Sequence, residues 1–346
     1  MTPAEVTSLD ELRLLVVVDN LTDTLSSVAD GIPQSPEVLQ HLPRVPVTRT
    51  HDGHPGKVVF DRFCWAGHGL STLATGRRAD TERTMLLDVG PNADLWLGNA
   101  ARLGIDLAKI ELIFLSHWHF DHSGALPGVV VAVSRARREA GLGVPLVDLH
   151  PDRPDQRGTL NPTGTIVLLP PEPTIDAIEA AGGRVVTHDN PHALAEDFFF
   201  GSGEIERVTA YEQGLVGHVS FRGDKSYADP LIRDERFVAA HVRGRGTTLL
   251  SSCSHAGVVN AALGARAQFR DGPVDLVFGG YHLSGKAMEA RIDATVRDLE
   301  ERIRPRVVAP GHCTGWRAKA ALARAFAPER YGPSAVGCMY TLRATS

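Results

Sequence analysis

The run Ser116-His-Trp-His-Phe-Asp-His-Ser-Gly124 places His117, His119, Asp121 and His122 within six residues. His117 and His119 lie two apart, so on an extended or turning backbone both can point to one side. Asp121 and His122 follow on the turn. Imidazole nitrogen and carboxylate oxygen are the donors that borderline divalent cations select. Three further histidines stand just past apolar runs, each in a glycine-containing bend: His255 in Ser251-Ser-Cys-Ser-His-Ala-Gly257, His282 in Phe278-Gly-Gly-Tyr-His-Leu283, and His312 in Ala309-Pro-Gly-His-Cys-Thr-Gly315. One such histidine is ordinarily a capping or hydrogen-bonded residue. The same placement repeated three times, beside the dense cluster, points to a shared cation and to a water made acidic by it.

Elements must hold these residues in place. Apolar runs predict strands at Leu12–Val18, Lys57–Phe60, Leu70–Ala74, Thr84–Val89 and Ile110–Leu115, the last running straight into the cluster. Helical spacing covers Asn92–Leu103, closed by Gly104, and Gly124–Gly141. In the C-terminal third, strands are expected at Phe237–Val242, Thr247–Ser251, Val274–Phe278 and Val307–Ala309. Between the last two, Met288, Ile292, Val296, Leu299 and Ile303 mark a helix. Strands alternating with helices in both halves predict an α/β fold, a sheet covered by helices, with ligand residues at strand C-terminal ends. Residues 144–227 are irregular and proline-rich, with short strands expected near Ile166–Leu169 and Arg184–Val186. They are read as an inserted, lid-like segment within one domain spanning 1–346.

Composition narrows the classes. Of 346 residues, 43% are hydrophobic and 22% charged, with 36 basic against 41 acidic side chains and a net charge of −5. No apolar run approaches the roughly 18–20 residues of a membrane span, and a basic surplus suited to nucleic acid is missing. A small-molecule substrate is therefore expected, with neither nucleic acid nor membrane as partner. The four cysteines, Cys64, Cys253, Cys313 and Cys338, have no CxxC spacing and imply no disulfide framework. The start carries acids where a secretory signal needs a basic and then an apolar stretch, which leaves a cytoplasmic location as the expectation.

The heptapeptide Ser116–His122 resembles the His-x-His-x-Asp-His signature of the metallo-β-lactamase superfamily. The likeness continues along nearly the whole chain to the branch named for 7,8-dihydropterin-6-methyl-4-(β-D-ribofuranosyl)-aminobenzene 5′-phosphate synthase. It runs through Val18-Asp-Asn20, His68-Gly-Leu-Ser71, Asp88-Val-Gly90, His150-Pro-Asp152, Gly203-Glu-Ile205, Arg207, Glu212, Cys253–Gly257, Asn260, Gly279-Gly280, His282-Leu283 and Pro310–Gly315. This resemblance implies an αββα sandwich with a two-metal pocket at the sheet edge. It assigns His117 and His119 to a first metal and Asp121, His122 and His312 to a second. Many relatives carry a bridging aspartate after the strand equivalent to Thr247–Leu250, where this chain has Ser252-Cys253. His255 is the candidate to complete the first site, while Cys253 either ligates or packs.

The expected activity is metal-dependent hydrolysis of an ester, lactone or phosphoester, with one or two divalent ions per chain, Zn²⁺ foremost. Asp121 would ligate or orient and deprotonate the attacking water, and His282 would contact an oxyanion or donate a proton. His68 is placed at the pocket rim. Asp88 is expected to orient a ligand histidine rather than bind metal. Asp19 and Asn20 read as a turn, and His150, Glu204, Arg207 and Glu212 as substrate contacts or solvated loop residues. A di-iron redox protein or a metal-binding sensor on the same scaffold are the competing readings; a cysteine hydrolase using Cys253 or Cys313 is the weakest.

Overall fold

A computed structural model describes residues 5–23, 25–35, 50–55, 63–161, 163–270 and 272–345. The strand expected at Lys57–Phe60 lies outside the described residues. Two mixed sheets pack face to face with helices on their outer sides, the αββα arrangement. The first runs in the order Arg184–Thr187, Leu146–Leu149, Leu112–Phe114, Thr81–Leu87, Ser71–Arg78, Glu11–Val18, Met339–Arg343, Gln34–Ser35. The second runs His192–Leu194, Phe199–Gly201, Val238–Val242, Gly246–Ser251, Val274–Gly280, Val307–Gly311.

Side-chain alternation along each strand builds the layers. Leu12, Leu14 and Val16 face inward against Val238, Ala240 and Leu250 of the opposite sheet. At a bulge between Val16 and Val18 the register shifts, and Val17 and Val18 join the outer layer. That layer packs Trp96 and Ala100 of helix Ala93–Arg102 and Leu126, Val129, Val130 and Val133 of helix Leu126–Glu139. On the other side, Ala239, Leu249, Val277 and Val308 meet helices Val258–Gln268 and Trp316–Phe326. Asn92 caps its helix by accepting from the backbone N–H groups of Asp94 and Leu95.

The expected elements recur with shifted ends. The helix read across Met288–Ile303 is divided into Lys286–Glu289 and Ile292–Asp298, the latter continuing as a π turn over Leu299–Ile303. The strand Met339–Arg343 has no counterpart in the sequence reading; it pairs antiparallel with Glu11–Val18, Leu342 opposite Leu12.

Residues 144–227 are shared among three sheets. Leu146–Leu149 and Arg184–Thr187 extend the first sheet, and His192–Leu194 and Phe199–Gly201 extend the second. The remaining strands, Ile166–Leu168, Gln156–Leu160, His218–Arg222 and Lys225–Ala228, form a separate four-stranded sheet. No described helix is long and apolar enough to cross a membrane.

The parallel strands set the stage for chemistry. Gly246–Ser251, Val274–Gly280 and Val307–Gly311 run side by side in one direction, so Cys253, His255, His282 and His312 emerge together at one edge. Thr81–Leu87 and Leu112–Phe114 are likewise parallel and deliver Asp88 and the Ser116–His122 run. Gly279 makes the first of these alignments possible: its φ of +123° suits only glycine, and a Cβ there would collide with the Ser251 carbonyl oxygen.

Candidate functional site

The two strand-end sets meet across the sandwich. His117, His119 and His255 bring one nitrogen each into a group whose ligand atoms all lie within 4.8 Å of one another. His117 Nε2 is 3.0 Å from His119 Nδ1, and His255 Nε2 is 3.1 Å from the same atom. A second group gathers around Asp121 Oδ2, with His312 Nε2 at 3.3 Å, His68 Nε2 at 3.5 Å and His122 Nε2 at 3.6 Å. The Cys253 thiol stands between the groups, grouped with both His117 and His122. Thus Cys253, rather than His255, occupies the place between the two sets, and His255 sits with the first.

Hydrogen-bond partners fix where the ring protons lie. Ser116 Oγ donates to Asp88 Oδ2 at 2.8 Å and so accepts from His117 Nδ1–H, also at 2.8 Å; His117 Nε2 is left as a bare lone pair. The Asp229 carbonyl accepts from His218 Nδ1–H at 2.8 Å, so His218 Nε2 accepts from His119 Nε2–H at 2.9 Å, and His119 Nδ1 is bare as well. Two lone pairs therefore face each other at 3.0 Å with no proton between them. In the second group, His122 Nδ1–H donates to Asp88 Oδ2 at 2.7 Å and His312 Nδ1–H to Asn20 Oδ1 at 3.1 Å. Their buried Nε2 atoms have no hydrogen-bond partner and face a carboxylate. Both groups have the donor chemistry a divalent cation requires.

His68 differs. The Gly69 N–H donates to Asn20 Oδ1, which turns the Asn20 amide nitrogen toward His68 Nδ1 at 3.1 Å. His68 then presents Nε2–H to Asp121, as a donor at the rim.

The electrostatics distinguish the two groups. Burial, reinforced by neighbouring imidazoles for His117 and His255 and by Arg157 for His119, holds all three rings well below the usual histidine range, hence neutral. Burial opposes ionisation of Asp121, but His122 and His312 outweigh it and hold the carboxyl well below its ordinary value. For His122 and His312, the neighbouring carboxylates and the Cys313 thiol overcome burial and favour the charged ring, so a cation would displace the Nε2 proton of each.

Outside these groups, a shell of buried side chains pins the loops. Asp88, at φ +55°, accepts from Ser116 N–H as well as from His122, the orienting position expected for it. Asp19, read from the sequence as a turn residue, accepts the His312 N–H at 2.9 Å and the Ser334 hydroxyl at 2.6 Å. Three consecutive residues absent from the sequence reading do the most. Asp234 accepts from Trp118 N–H at 2.7 Å, and Glu235 accepts from the N–H groups of His255 and Ala256 at 2.7 and 2.6 Å. Arg236 donates to the Leu115 carbonyl and to Asp148 at 2.7 and 2.8 Å. Arg157, 2% exposed, ties Asp234 to the Trp118 carbonyl with contacts of 2.6 Å. His218 was missed too: a single histidine in an irregular segment carries no local signal. The bends at His282 and His312 also store strain, with φ of +43° and +44°.

Other sequence candidates fall away from the centre. Glu212 accepts from the N–H groups of Val259 and Asn260 and so caps helix Val258–Gln268, whose own N-cap, Gly257, has no side chain. Arg207 donates to the Leu231 carbonyl and Glu204 pairs with Arg233. The His150 carbonyl holds the Trp118 indole, while its ring accepts from Asp152 N–H. Substrate contact is not where these four are placed. His282 does reach the centre, its Nδ1 at 3.4 Å from Cys253 Sγ and its ring 4.2 Å from that of His255. The Cys253 and Cys313 sulfurs lie 3.1 Å apart. A cavity of about 600 Å³ opens over the cluster, lined by His68, Asp121, His255, His282, His312 and residues of the four-stranded sheet.

Residues 66–281 match the model of the protein family described as the Metallo-beta-lactamase superfamily. The chain belongs to that superfamily. Its members are enzymes, typically holding divalent metal, and this chain is an enzyme of the metallo-beta-lactamase fold. A relative from Methanocaldococcus jannaschii, named 7,8-dihydropterin-6-methyl-4-(beta-D-ribofuranosyl)-aminobenzene-5'-phosphate synthase, is 28% identical over 268 residues, covering 74% of this chain and 83% of that protein. An Aspergillus fumigatus protein named atrochrysone carboxyl ACP thioesterase is 32% identical over 106 residues, 30% of each chain. A crystal structure described as a metal-dependent hydrolase of the beta-lactamase superfamily superimposes with a TM-score of 0.65 at 21% identity, covering 97% of this chain and 100% of the other. That superposition speaks for the fold.

Proposed function

We propose that this superfamily member is a metal-dependent hydrolase that directs a metal-activated water at an ester, lactone or phosphoester. The observation that carries the reading is the pair of bare nitrogens, His117 Nε2 and His119 Nδ1, opposed at 3.0 Å, with His119 lining an open cavity. His117, His119 and His255 would hold a first ion, and Asp121, His122 and His312 a second, with Cys253 between them. Nitrogen, oxygen and sulfur donors together suit Zn²⁺. Bound there, such ions supply a water acidified to a pKa near 7 and a Lewis acid for the substrate oxygen.

The chain's own residues do the rest. Asp121, kept ionised, accepts the proton of the attacking water or orients it. His68, holding Nε2–H toward Asp121, keeps that carboxylate facing the cavity. His282, on its left-handed bend, is aimed so that it can donate a hydrogen bond to the developing oxyanion or a proton to the leaving group. Cys253 and Cys313 would serve as soft donors of the centre rather than as nucleophiles. The thioesterase name of the A. fumigatus relative is in keeping with a hydrolytic role.

The test combines metal analysis with two variants. Purified protein should carry zinc, and His119→Ala should lose metal and turnover of generic ester, lactone and phosphodiester probes together. His282→Ala should keep its metal and lose turnover. Iron with visible absorbance would refute the zinc assignment, metal-replete protein inert to all three probes would refute hydrolysis, and an emptied centre in His282→Ala would refute the division of roles.

A further inference from the structure

The cavity walls discriminate among the substrate classes that the hydrolase reading leaves open. On one side, the four-stranded sheet contributes Thr159 and His218 and its adjoining loops Leu169, Pro170 and Leu215; on the other stand Pro91 and Phe120. Among the described residues lining the cavity there is neither lysine nor arginine. Phosphate groups are usually gripped by guanidinium or ammonium side chains, and the arginines behind these walls are already engaged. Arg157 is consumed by Asp234, Asp229 and the Trp118 carbonyl, at 2.6, 3.2 and 2.6 Å. Arg291, behind Leu215, donates to the Gly214 carbonyl at 2.8 Å.

The apolar surface continues outward. Leu168, Val216 and Trp316 are 52%, 83% and 75% exposed, and each adjoins a lining residue: Leu169, Leu215 and Gly315. A single exposed apolar side chain is ordinary. Three of them, each next in sequence to a lining residue of one cavity, accompany its apolar wall.

We propose that the centre acts on an uncharged acyl compound, a carboxylic ester, thioester or lactone, whose apolar arm lies along Leu169, Pro170 and Leu215. This assignment rests on the hydrolase reading and selects the carbonyl over the phosphoryl substrate. The carbonyl needs no cationic clamp beyond the centre itself, whereas a phosphoester would set its charge against the Asp121 carboxylate with neither lysine nor arginine among the described lining residues to offset it. The arm gains affinity by burial, about fourfold for each methylene laid against the wall.

Two measurements on zinc-loaded protein test this. The first compares kcat/KM for 4-nitrophenyl acetate, hexanoate and decanoate with that for bis(4-nitrophenyl) phosphate. Hexanoate should exceed acetate by at least tenfold, and the phosphodiester should trail hexanoate by at least a hundredfold. Leu215→Ser should collapse the hexanoate-to-acetate ratio. The second reads binding without turnover: octanohydroxamic acid should bind at least tenfold more tightly than acetohydroxamic acid by calorimetry, and phenylphosphonate no more tightly than acetohydroxamic acid. Ester turnover without a chain-length slope, a faster phosphodiester, or tighter phosphonate binding would overturn the assignment. If no probe turned over while the hydroxamates kept their slope, hydrolysis would fall and the apolar arm site would stand.

Discussion

His218→Leu is the most informative single perturbation. His218 belongs to the four-stranded sheet and touches no other candidate ligand as closely as His119, whose Nε2–H it accepts at 2.9 Å. Leucine fills a similar volume but removes the acceptor. His218 is 2% exposed and His119 6%, so water has little access to the orphaned N–H. Leaving one buried donor unsatisfied costs about 1–3 kcal/mol. The His119 ring can escape that cost by moving its proton to Nδ1, which silences the nitrogen facing His117 and His255. Either route weakens the centre, and outer partners of metal-ligating histidines are typically worth about 10–100-fold in metal affinity, or roughly 1.4–2.7 kcal/mol. The two estimates coincide. Competition for zinc against a chromophoric chelator reads the effect directly. His218→Leu should bind zinc about 10–100-fold more weakly, while His218→Gln, whose amide oxygen can accept the same N–H, should stay within a few-fold of the native protein. Zinc affinity in His218→Leu within twofold of native would refute the proton assignment in the first group.

Three further outcomes follow from the packing. Glu172, almost wholly buried and bonded to the Ser123 hydroxyl, is pushed up from 4.5 to about 7, chiefly by burial. A carboxyl raised in the folded state lowers stability as pH climbs above its unfolded value, with the loss complete near pH 7 and amounting to roughly 3 kcal/mol. Glu172→Gln should therefore be more stable than native at pH 8 and similar at pH 4.5 by urea unfolding; parallel pH curves would show the reasoning wrong. Gly279→Ala should cost at least about 2 kcal/mol, from its φ and the Ser251 carbonyl in its way, visible as a lowered Tm. Glu212→Ala uncaps helix Val258–Gln268 and should lower stability by about 1 kcal/mol while leaving KM for ester probes unchanged, which separates it from the substrate contacts its position in the chain suggested.

What the chain reveals unaided has a physical pattern. Ligand-type residues at strand C-terminal ends were legible because both signals are local: an apolar run of strand length, then a histidine in a glycine bend. The place of Asp88 at the end of its strand was legible for the same reason. Asp234, Glu235 and Arg236 were not, since an acid-acid-base triplet reads as solvated surface until the backbone groups it satisfies, 20 to 121 residues away in sequence, are folded against it. The strand Met339–Arg343 escaped notice because its pairing partner lies at the opposite end of the chain. Residues 144–227 were read as one insertion because prolines and short runs look alike, whereas their strands pair with neighbours distant in sequence and are divided among three sheets. Glu212 was misplaced because capping across 47 residues leaves no mark on local composition.

The triplet Asp234-Glu235-Arg236 has a consequence for how this enzyme can move. One short length of main chain grips a histidine-bearing loop from each half of the sandwich, so the distance between those loops is written into adjacent peptide units. Breathing of the two sheets against each other would stretch that clasp before it could widen the floor. Whatever adaptation a bulky guest requires must come from the overlying strands and the lips of the opening, leaving the imidazole constellation below undisturbed through each cycle of entry and departure.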